Sequence, residues 1–370
     1  MAKRMRFILS TIMVIVAMTA KAQVTTASLS GKVTDPTKEA IIGATVQAIH
    51  EPSGTRYGAI TIQGMRAGGP YSVEVSYIGY QTMMFKDVTL QLGEVYNLNV
   101  QMQESSELLD EVIVTAQKTK FASEKTGATT NISNTQIANM PSISRSITDY
   151  SRLSAYGGNG MSFAGSDGRT ANFTIDGANF NNNFGLSSNL PGGGNPVSIE
   201  AIDEIQIVIS PFDVRQTNFI GGGINAITKS GTNTYKGTAY VYHQNENMRG
   251  DAIDREAISG AREKDQSTTY GFTIGGPIIK DKLFFFANGE MRNTPAIANR
   301  WRASEDGVAN ADAYISRATV ADLQTVSDIA KEKYGYDTGS FSSFPSDNKN
   351  TKLLARIDWN INNNHHLALR

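Results

Sequence analysis

A chain of 370 residues with 34 Lys and Arg, 35 Asp and Glu and a formal charge of −1 lacks the basic excess that nucleic-acid phosphates require, so we expect no nucleic-acid partner. It contains no Cys, which excludes disulfides, thiolate metal sites and a Cys nucleophile. The 34 Gly predict many turns, and a hydrophobic content of 40% suits either soluble domains or a membrane β-barrel, whose strands alternate in polarity.

Residues 1–22 have the pattern of a secretory signal peptide. Basic residues before position 7 precede an apolar stretch at 7–18, which is too short to span a bilayer. Ala20 and Ala22 occupy the two positions that a signal peptidase reads. We therefore expect cleavage after Ala22 rather than a membrane anchor.

Residues 23–103 predict an all-β sandwich. Short alternating segments, separated by turns containing Gly and Pro, lie at 28–34, 44–49, 71–77 and 96–102. Three blocks, LSGKVTD, IGATV and YSVEVSYIGY, give this region its resemblance to the carboxypeptidase regulatory-like domain. The family usually has a further turn near residues 58–66, so we expect a shortened hairpin there. Despite the name, the resemblance implies no peptidase, because His50 is the single histidine of the segment and a zinc site needs more ligands.

Residues 104–120 are acidic and polar around one apolar island, VIVTA. One interpretation is a linker with a single strand. The other is an extended segment that pairs with an edge strand of a partner by β-augmentation, which β-branched residues without Pro favour.

Residues 121–232 resemble the plug domain of TonB-dependent outer-membrane receptors, through the blocks NFTIDG, IEAIDEIQI and GGGINAITKSG. In the family these blocks are a strand with an Asp-Gly turn, a helical turn leading into a core strand, and the Gly-rich strand before the barrel. The plug motif residues are Asp176, Gly177, Gly221, Gly222 and Gly223. We expect the last three to need positive φ or a close approach of backbone.

The same resemblance implies that the apolar island is a TonB box, the segment that binds TonB of the inner-membrane energising complex. The predicted box residues are Asp110, Glu111, Val112, Ile113, Val114, Thr115 and Ala116.

Residues 233–370 predict the first strands of a transmembrane β-barrel. Segments of roughly 10 residues, the length of a tilted membrane-spanning strand, lie at 235–245, 269–275, 283–292 and 352–361. Polarity alternates clearly at 269–275 and 352–361, less regularly at 283–292, and poorly in the aromatic segment 235–245. Their connections alternate between long and short, as extracellular loops and periplasmic turns do. The blocks TKSGTN and GGPIIKDKLFFF most resemble the Oar-like branch of TonB-dependent receptors. Because the family barrel has about 22 strands, we expect the chain to be a fragment that is inactive by itself.

The predicted fold is thus mainly β, with an N-terminal β-sandwich, an α+β plug and the first strands of an antiparallel transmembrane β-barrel. The resemblance implies an outer-membrane receptor for energised uptake, with sandwich and plug on the periplasmic side and TonB, membrane lipid and an unidentified ligand as partners. The alternative is a surface adhesin or carbohydrate-binding protein without transport. No set of nucleophile, base and acid stands out, so we expect no catalytic site, and we expect no cofactor. We also expect no shared metal at the adjacent His365 and His366, which would point to opposite faces of a strand.

Overall fold

The computed structural model describes most of the chain. The described residues are 25–58, 61–105, 112–115, 128–142, 144–181, 190, 195–211, 216–217, 219–248, 250, 252–257, 266–297, 301–339, 345–363 and 365–370. The predicted signal peptide and three of the predicted box residues, Asp110, Glu111 and Ala116, lie outside this part. The chain divides into two compact units, the first with Met1–Gly237, Thr273–Asn288 and Leu353–Arg370, the second with Thr238–Phe272 and Gly289–Lys352.

The N-terminal region forms the predicted β-sandwich. Its strands are β1 (Ala27–Ser30), β2 (Val33–Thr34), β3 (Thr45–His50), β4 (Thr55–Gly58), β5 (Ile62–Met65), β6 (Gly68–Ser76), β7 (Met83–Leu90), β8 (Val95–Asn97), β9 (Val100–Gln101) and β10 (Val112–Thr115). One sheet has the order β5-β1-β8, the other β10-β7-β6-β3-β4, and β2 pairs with β9.

Alternating side chains fill the space between the sheets, because successive residues of a strand point to opposite faces. Tyr71, Val73 and Val75 of β6 are buried in the sandwich core, as predicted. Tyr77, predicted on the same face, is 37% exposed, since it lies beyond the end of β6. The region with the expected shortened hairpin contributes β5, which pairs antiparallel with β1.

The region predicted as the plug has α+β structure around a separate five-stranded sheet. Its elements are β11 (Ala128–Ser133), α1 (Asn134–Asn139), α2 (Ile147–Tyr150), β12 (Asn172–Ile175), β13 (Ala178–Asn179), β14 (Ile202–Ser210) and β15 (Gly223–Thr228), with short 3-10 helices at Ser151–Leu153, Gly168–Thr170 and Ile199–Ala201. The sheet order is β11-β14-β15-β12-β13. The helical turn predicted before the core strand is the 3-10 helix at Ile199–Ala201, which Ser198 caps by accepting a hydrogen bond from the Glu200 N–H.

A further five-stranded sheet contains the predicted barrel strands in the order β16 (Lys236–Gln244), β19 (Ser267–Ile279), β20 (Leu283–Ile297), β23 (Pro345–Asn362) and β24 (His365–Leu369). Strands β19, β20 and β23 are longer than predicted, whereas β16 lies within the predicted segment 235–245. β19 and β20 are joined by a tight turn in which Asp281 has a φ of +63°. The two short pairs are β17 (Ala252–Ile253) with β18 (Glu256–Ala257), and β21 (Arg302–Ser304) with β22 (Ile315–Thr319).

The long segment between β20 and β23 was predicted as a polar loop, but it contains the helix α3 (Val320–Tyr334). Thr319 and Asp322 form a capping box at its start, and Gly335, with a φ of +63°, ends it in the left-handed conformation. Within the described part of the chain, no α-helix is long and apolar enough to cross a membrane.

The barrel strand β23 exposes apolar side chains and buries charged ones, which is the reverse of a strand in a soluble protein. On β23 the apolar Leu353, Ile357 and Trp359 are exposed, whereas the charged Arg356 and Asp358 are buried. A soluble sheet buries its apolar face, but a membrane barrel exposes that face to lipid and turns its polar face inward.

Candidate functional site

The predicted TonB box lies on the edge of the sandwich. Its described residues, Val112–Thr115, are the extended strand β10, which pairs in parallel with residues 83–86 of β7. The segment is therefore a strand of the sandwich sheet, whereas the sequence indicated only a strand inside a linker. Its role as a TonB box stays a prediction.

The plug motif Asp176–Gly177 forms the turn between β12 and β13, with φ values of +49° and +84°. The Asp176 carboxylate accepts hydrogen bonds from the Thr228 N–H at 3.0 Å and from the Thr228 hydroxyl, at the end of β15. One carboxylate thus fastens the turn to the strand that leads towards the barrel.

The three motif glycines meet the expectation of positive φ or close approach. Gly221 has a φ of +92°, and a Cβ on Gly222 would lie 2.6 Å from the Phe163 ring. A Cβ on Gly223 would lie 3.2 Å from the Phe219 ring, which is tighter than most real contacts. These glycines serve packing inside the plug.

The first unit holds a cluster of ion pairs around the plug motif, which we call the ionic junction and define as Arg66, Asp176, Arg356, Asp358 and Arg370. The Arg356 Nη1 donates to the Thr228 carbonyl at 2.6 Å, and its Nε donates to Asp358 at 2.9 Å. Arg370 Nη1 donates to the Asp176 carbonyl at 3.0 Å. Arg66 of the sandwich lies 3.6 Å from Asp358.

The ionic junction was not predicted as a site. Arg356 and Asp358 were interpreted only as the polar face of a barrel strand, yet they are 7% and 5% exposed. Buried charges are costly unless each is paired and hydrogen-bonded, and here each has several partners. Opposite charges two residues apart on a predicted barrel strand are the sequence signal that could have identified them.

The sandwich also contacts residues at or near the ends of the barrel strands β16, β23 and β24. The Asn233 N–H donates to the Pro52 carbonyl at 2.8 Å, and the Asn360 side chain donates to the Thr55 hydroxyl at 2.8 Å. The rings of Tyr57 and His366 are 5.4 Å apart. These three contacts are made by β4 and by the turn that precedes it.

The turn after β7 contacts the plug through Leu92, which is completely buried together with Ala67 and Ile227. Its N–H donates to Glu204 at 3.1 Å, and its carbonyl accepts hydrogen bonds from the side chains of Asn131 and Gln206. Burial raises the pKa of the Glu204 carboxyl to about 7, although the hydrogen bonds from Leu92 and Asn131 act in the opposite direction.

Among the described residues, no group of three or more His, Asp and Glu is arranged to hold a metal ion. The described contacts of the candidate site are strand pairing, ion pairs and hydrogen bonds.

Comparison with known families agrees with the sequence patterns. Residues 28–103 match the carboxypeptidase regulatory-like domain, and residues 227–304 match the outer membrane beta barrel domain. The chain is 27% identical over 221 residues to the TonB-dependent transporter Oar of Myxococcus xanthus, a match that covers 56% of this chain and 19% of that protein. The chain thus spans about a fifth of the length of that relative.

Solved structures with similarity include the siderophore receptor PirA from Acinetobacter baumannii, with 21% identity and a TM-score of 0.38, covering 64% of this chain and 29% of that chain. The outer membrane transporter YddB from Escherichia coli has 13% identity and a TM-score of 0.41, covering 64% of this chain and 31% of that chain.

The two domain matches and the homology to Oar confirm the resemblance to the carboxypeptidase regulatory-like domain and to Oar-like TonB-dependent receptors, and the mainly β fold. They also support a location in the outer membrane. The plug assignment of residues 121–232 stays a prediction.

Proposed function

We propose that the chain belongs to a TonB-dependent outer-membrane receptor that takes up its ligand with energy transmitted by TonB. The observation that carries this proposal is the position of Arg356. This buried residue binds the plug strand β15 through the Thr228 carbonyl, while its neighbours Leu353 and Ile357 on the same strand are apolar and exposed. A strand with lipid-facing apolar side chains and inward charges that contact a plug is the arrangement expected of a plugged barrel.

The contacts of the ionic junction suit a plug that has to move. When water enters a cavity, the groups of ion pairs and hydrogen bonds can bond to water instead, so separating them costs less. Separating an apolar interface would expose its apolar surface to water. Asp176 and Thr228 lie on the plug, whereas Arg356 lies on β23 and Arg370 directly follows β24. In this proposal, force on the plug breaks these ion pairs, and water then hydrates the separated charged groups.

The force is proposed to enter at β10, since an extended strand can pair with a partner through backbone hydrogen bonds. The sandwich and plug then lie on the periplasmic side, where TonB acts. The short turn at Asp281, which contacts Asn233 at 2.7 Å, lies on the same side in this proposal.

The test is a comparison of Ile113→Pro with Ile113→Val in the full-length protein. Pro removes an N–H and prevents ladder pairing, whereas Val keeps β-branching and the backbone donor. We expect Ile113→Pro to weaken binding of the purified periplasmic part of TonB by about tenfold or more, and Ile113→Val to leave it unchanged. Folded yield in outer membranes should be the same for both variants.

Three outcomes would contradict the proposal. If binding falls only in proportion to folded protein, β10 is a structural strand and not a TonB box. If the Pro variant binds TonB as the unmodified protein does, the box is elsewhere. If the unmodified protein itself does not bind TonB, an adhesin or carbohydrate-binding protein without transport becomes the better interpretation.

A further inference from the structure

The pairing of β10 with β7 places the predicted box in a defined position before any partner arrives. We infer that the β-sandwich holds this strand extended and presents its open edge, so that a strand of the partner adds to the sandwich sheet beside β10. This inference rests on the proposed function of β10 as a TonB box. It assigns to the sandwich the role of a platform for strand addition.

The backbone groups of β10 point to two sides, and β7 pairs with only one of them. In a strand, successive N–H and C=O groups point alternately to the two sides, and pairing with one neighbour satisfies only one side. β10 pairs with β7 at residues 83–86 and is the terminal strand in the sheet order. Within the described residues its other edge has no neighbouring strand, and such an edge is a template for a further strand.

Holding β10 extended also lowers the entropy that β10 loses when it binds a partner. A free linker has to lose backbone freedom at every residue that pairs with a partner. Because Val112–Thr115 is already extended beside β7, this backbone entropy is lost during folding and not again when the partner binds. Preorganisation of this kind raises affinity without adding a contact to the partner.

The sheet that carries β10 is itself attached to the plug. β7 ends at Leu90, two residues before Leu92, whose N–H and carbonyl are both bonded to plug side chains. At the same end of the sheet, where β3 ends beside the start of β6, the Pro52 carbonyl accepts a hydrogen bond from the Asn233 N–H. A partner strand that adds to β10 is thereby connected to the plug through a continuous sheet and one buried turn.

A disulfide between β10 and β7 tests the inference, because the chain has no Cys of its own. Ile113 and Met84 are Cα partners in the parallel ladder, so Ile113→Cys with Met84→Cys should crosslink on oxidation. We expect the oxidised full-length protein to bind the periplasmic part of TonB at least as tightly as the reduced protein. A matched control is Glu74→Cys with Met84→Cys, which joins β6 to β7 at Cα partners and leaves β10 free.

Each opposite outcome overturns the inference. If oxidation weakens TonB binding by about tenfold and a reductant restores it, the box has to leave the sandwich, and the sandwich sequesters it. If the control pair crosslinks but the test pair does not, β10 is not held on β7. Both results leave the proposed function intact, which fails separately if Ile113→Pro binds TonB normally.

Discussion

The backbone N–H of Leu92 donates to Oε1 of Glu204 at 3.1 Å, and this bond joins the sandwich to a plug strand 112 residues later in the chain. The Leu92 carbonyl is satisfied by Asn131 and Gln206, so both backbone groups of one turn residue are bonded to side chains of another domain. Since buried backbone groups need partners, separating the domains would leave these groups to find new ones.

Leu92→Ala should loosen this attachment. Truncating a fully buried Leu costs about 2–5 kcal/mol, through lost burial and the cavity that remains. We expect a loss of that size in the opening free energy of the turn, measured by native-state hydrogen exchange of its amides. Val95→Ala is the control, because Val95 is exposed and should change the same quantity by less than about 0.5 kcal/mol. Equal effects of the two variants would contradict the proposed attachment.

Glu204 should make this contact sensitive to pH. Its folded-state pKa of about 7 lies above the ordinary value of 4.5, so between these values the native protein keeps a proton that the unfolded chain has released. The stabilisation is therefore complete at low pH, declines as the pH rises from 4.5 towards 7 and stays at the lower level above. The same hydrogen-exchange measurement, corrected for the intrinsic pH dependence of exchange, should show weaker protection at pH 8 than at pH 5.

Glu204→Gln should remove this dependence, because an amide does not titrate in this range. The gain in opening free energy at pH 8 should be on the order of 1–3 kcal/mol, with little change at pH 5. Glu39→Gln, at an exposed position of the sandwich, is the control and should leave the pH dependence intact. A persistent pH dependence in Glu204→Gln would assign it to another group.

How much of this arrangement could be predicted depends on whether the signal is local. The alternation of Tyr71, Val73 and Val75 predicts their place in the sandwich core, because the two-residue period of a strand can be read from neighbouring residues. The helix α3 was missed although its signals were local, since Thr319 and Asp322 form a capping box and Gly335 ends the helix.

The long-range contacts had no comparable signal. Leu92 lies beside a glycine in a short segment that has the composition of a turn, and nothing near it indicates that Glu204 will bind its backbone. The parallel pairing of β10 with β7 likewise depends on a register between distant segments, which neither segment specifies alone.

Removing one charge of the ionic junction should destabilise the plug. Arg356→Met leaves the buried Asp358 without its main partner, and breaking a buried pair in this way costs about 3–5 kcal/mol. We expect the plug of the purified protein to become protease-sensitive at a clearly lower urea concentration. Arg317→Met, at an exposed position, is the control and should not shift that concentration.

The double variant Arg356→Met with Asp358→Leu separates pairing from packing. Replacing both charges by apolar side chains removes the uncompensated charge, so the double variant should recover part of the lost stability. A double variant that is less stable than Arg356→Met would mean that the two residues do not act as a pair.

The lipid-facing side of the barrel sheet is testable at two adjacent positions of β19, where Ile274 is exposed and Thr273 is buried. The absence of native Cys allows each to be replaced by a single Cys and labelled with an environment-sensitive thiol reagent. In lipid vesicles, a label at Ile274→Cys should have blue-shifted emission and be quenched by nitroxide-bearing lipids, because alternate residues of a barrel strand face the hydrocarbon. Thr273→Cys should react only after the protein is unfolded.

A charged maleimide that does not enter lipid provides the control. Val326→Cys on α3 is exposed and lies outside the barrel strands, so it should react rapidly with this reagent in vesicles. Ile274→Cys should react slowly with it while the protein is in the membrane and rapidly once the lipid is removed and the protein unfolded. If Ile274→Cys reacts in vesicles as fast as Val326→Cys, that face of β19 meets water, and the assignment of this sheet to the membrane would be wrong.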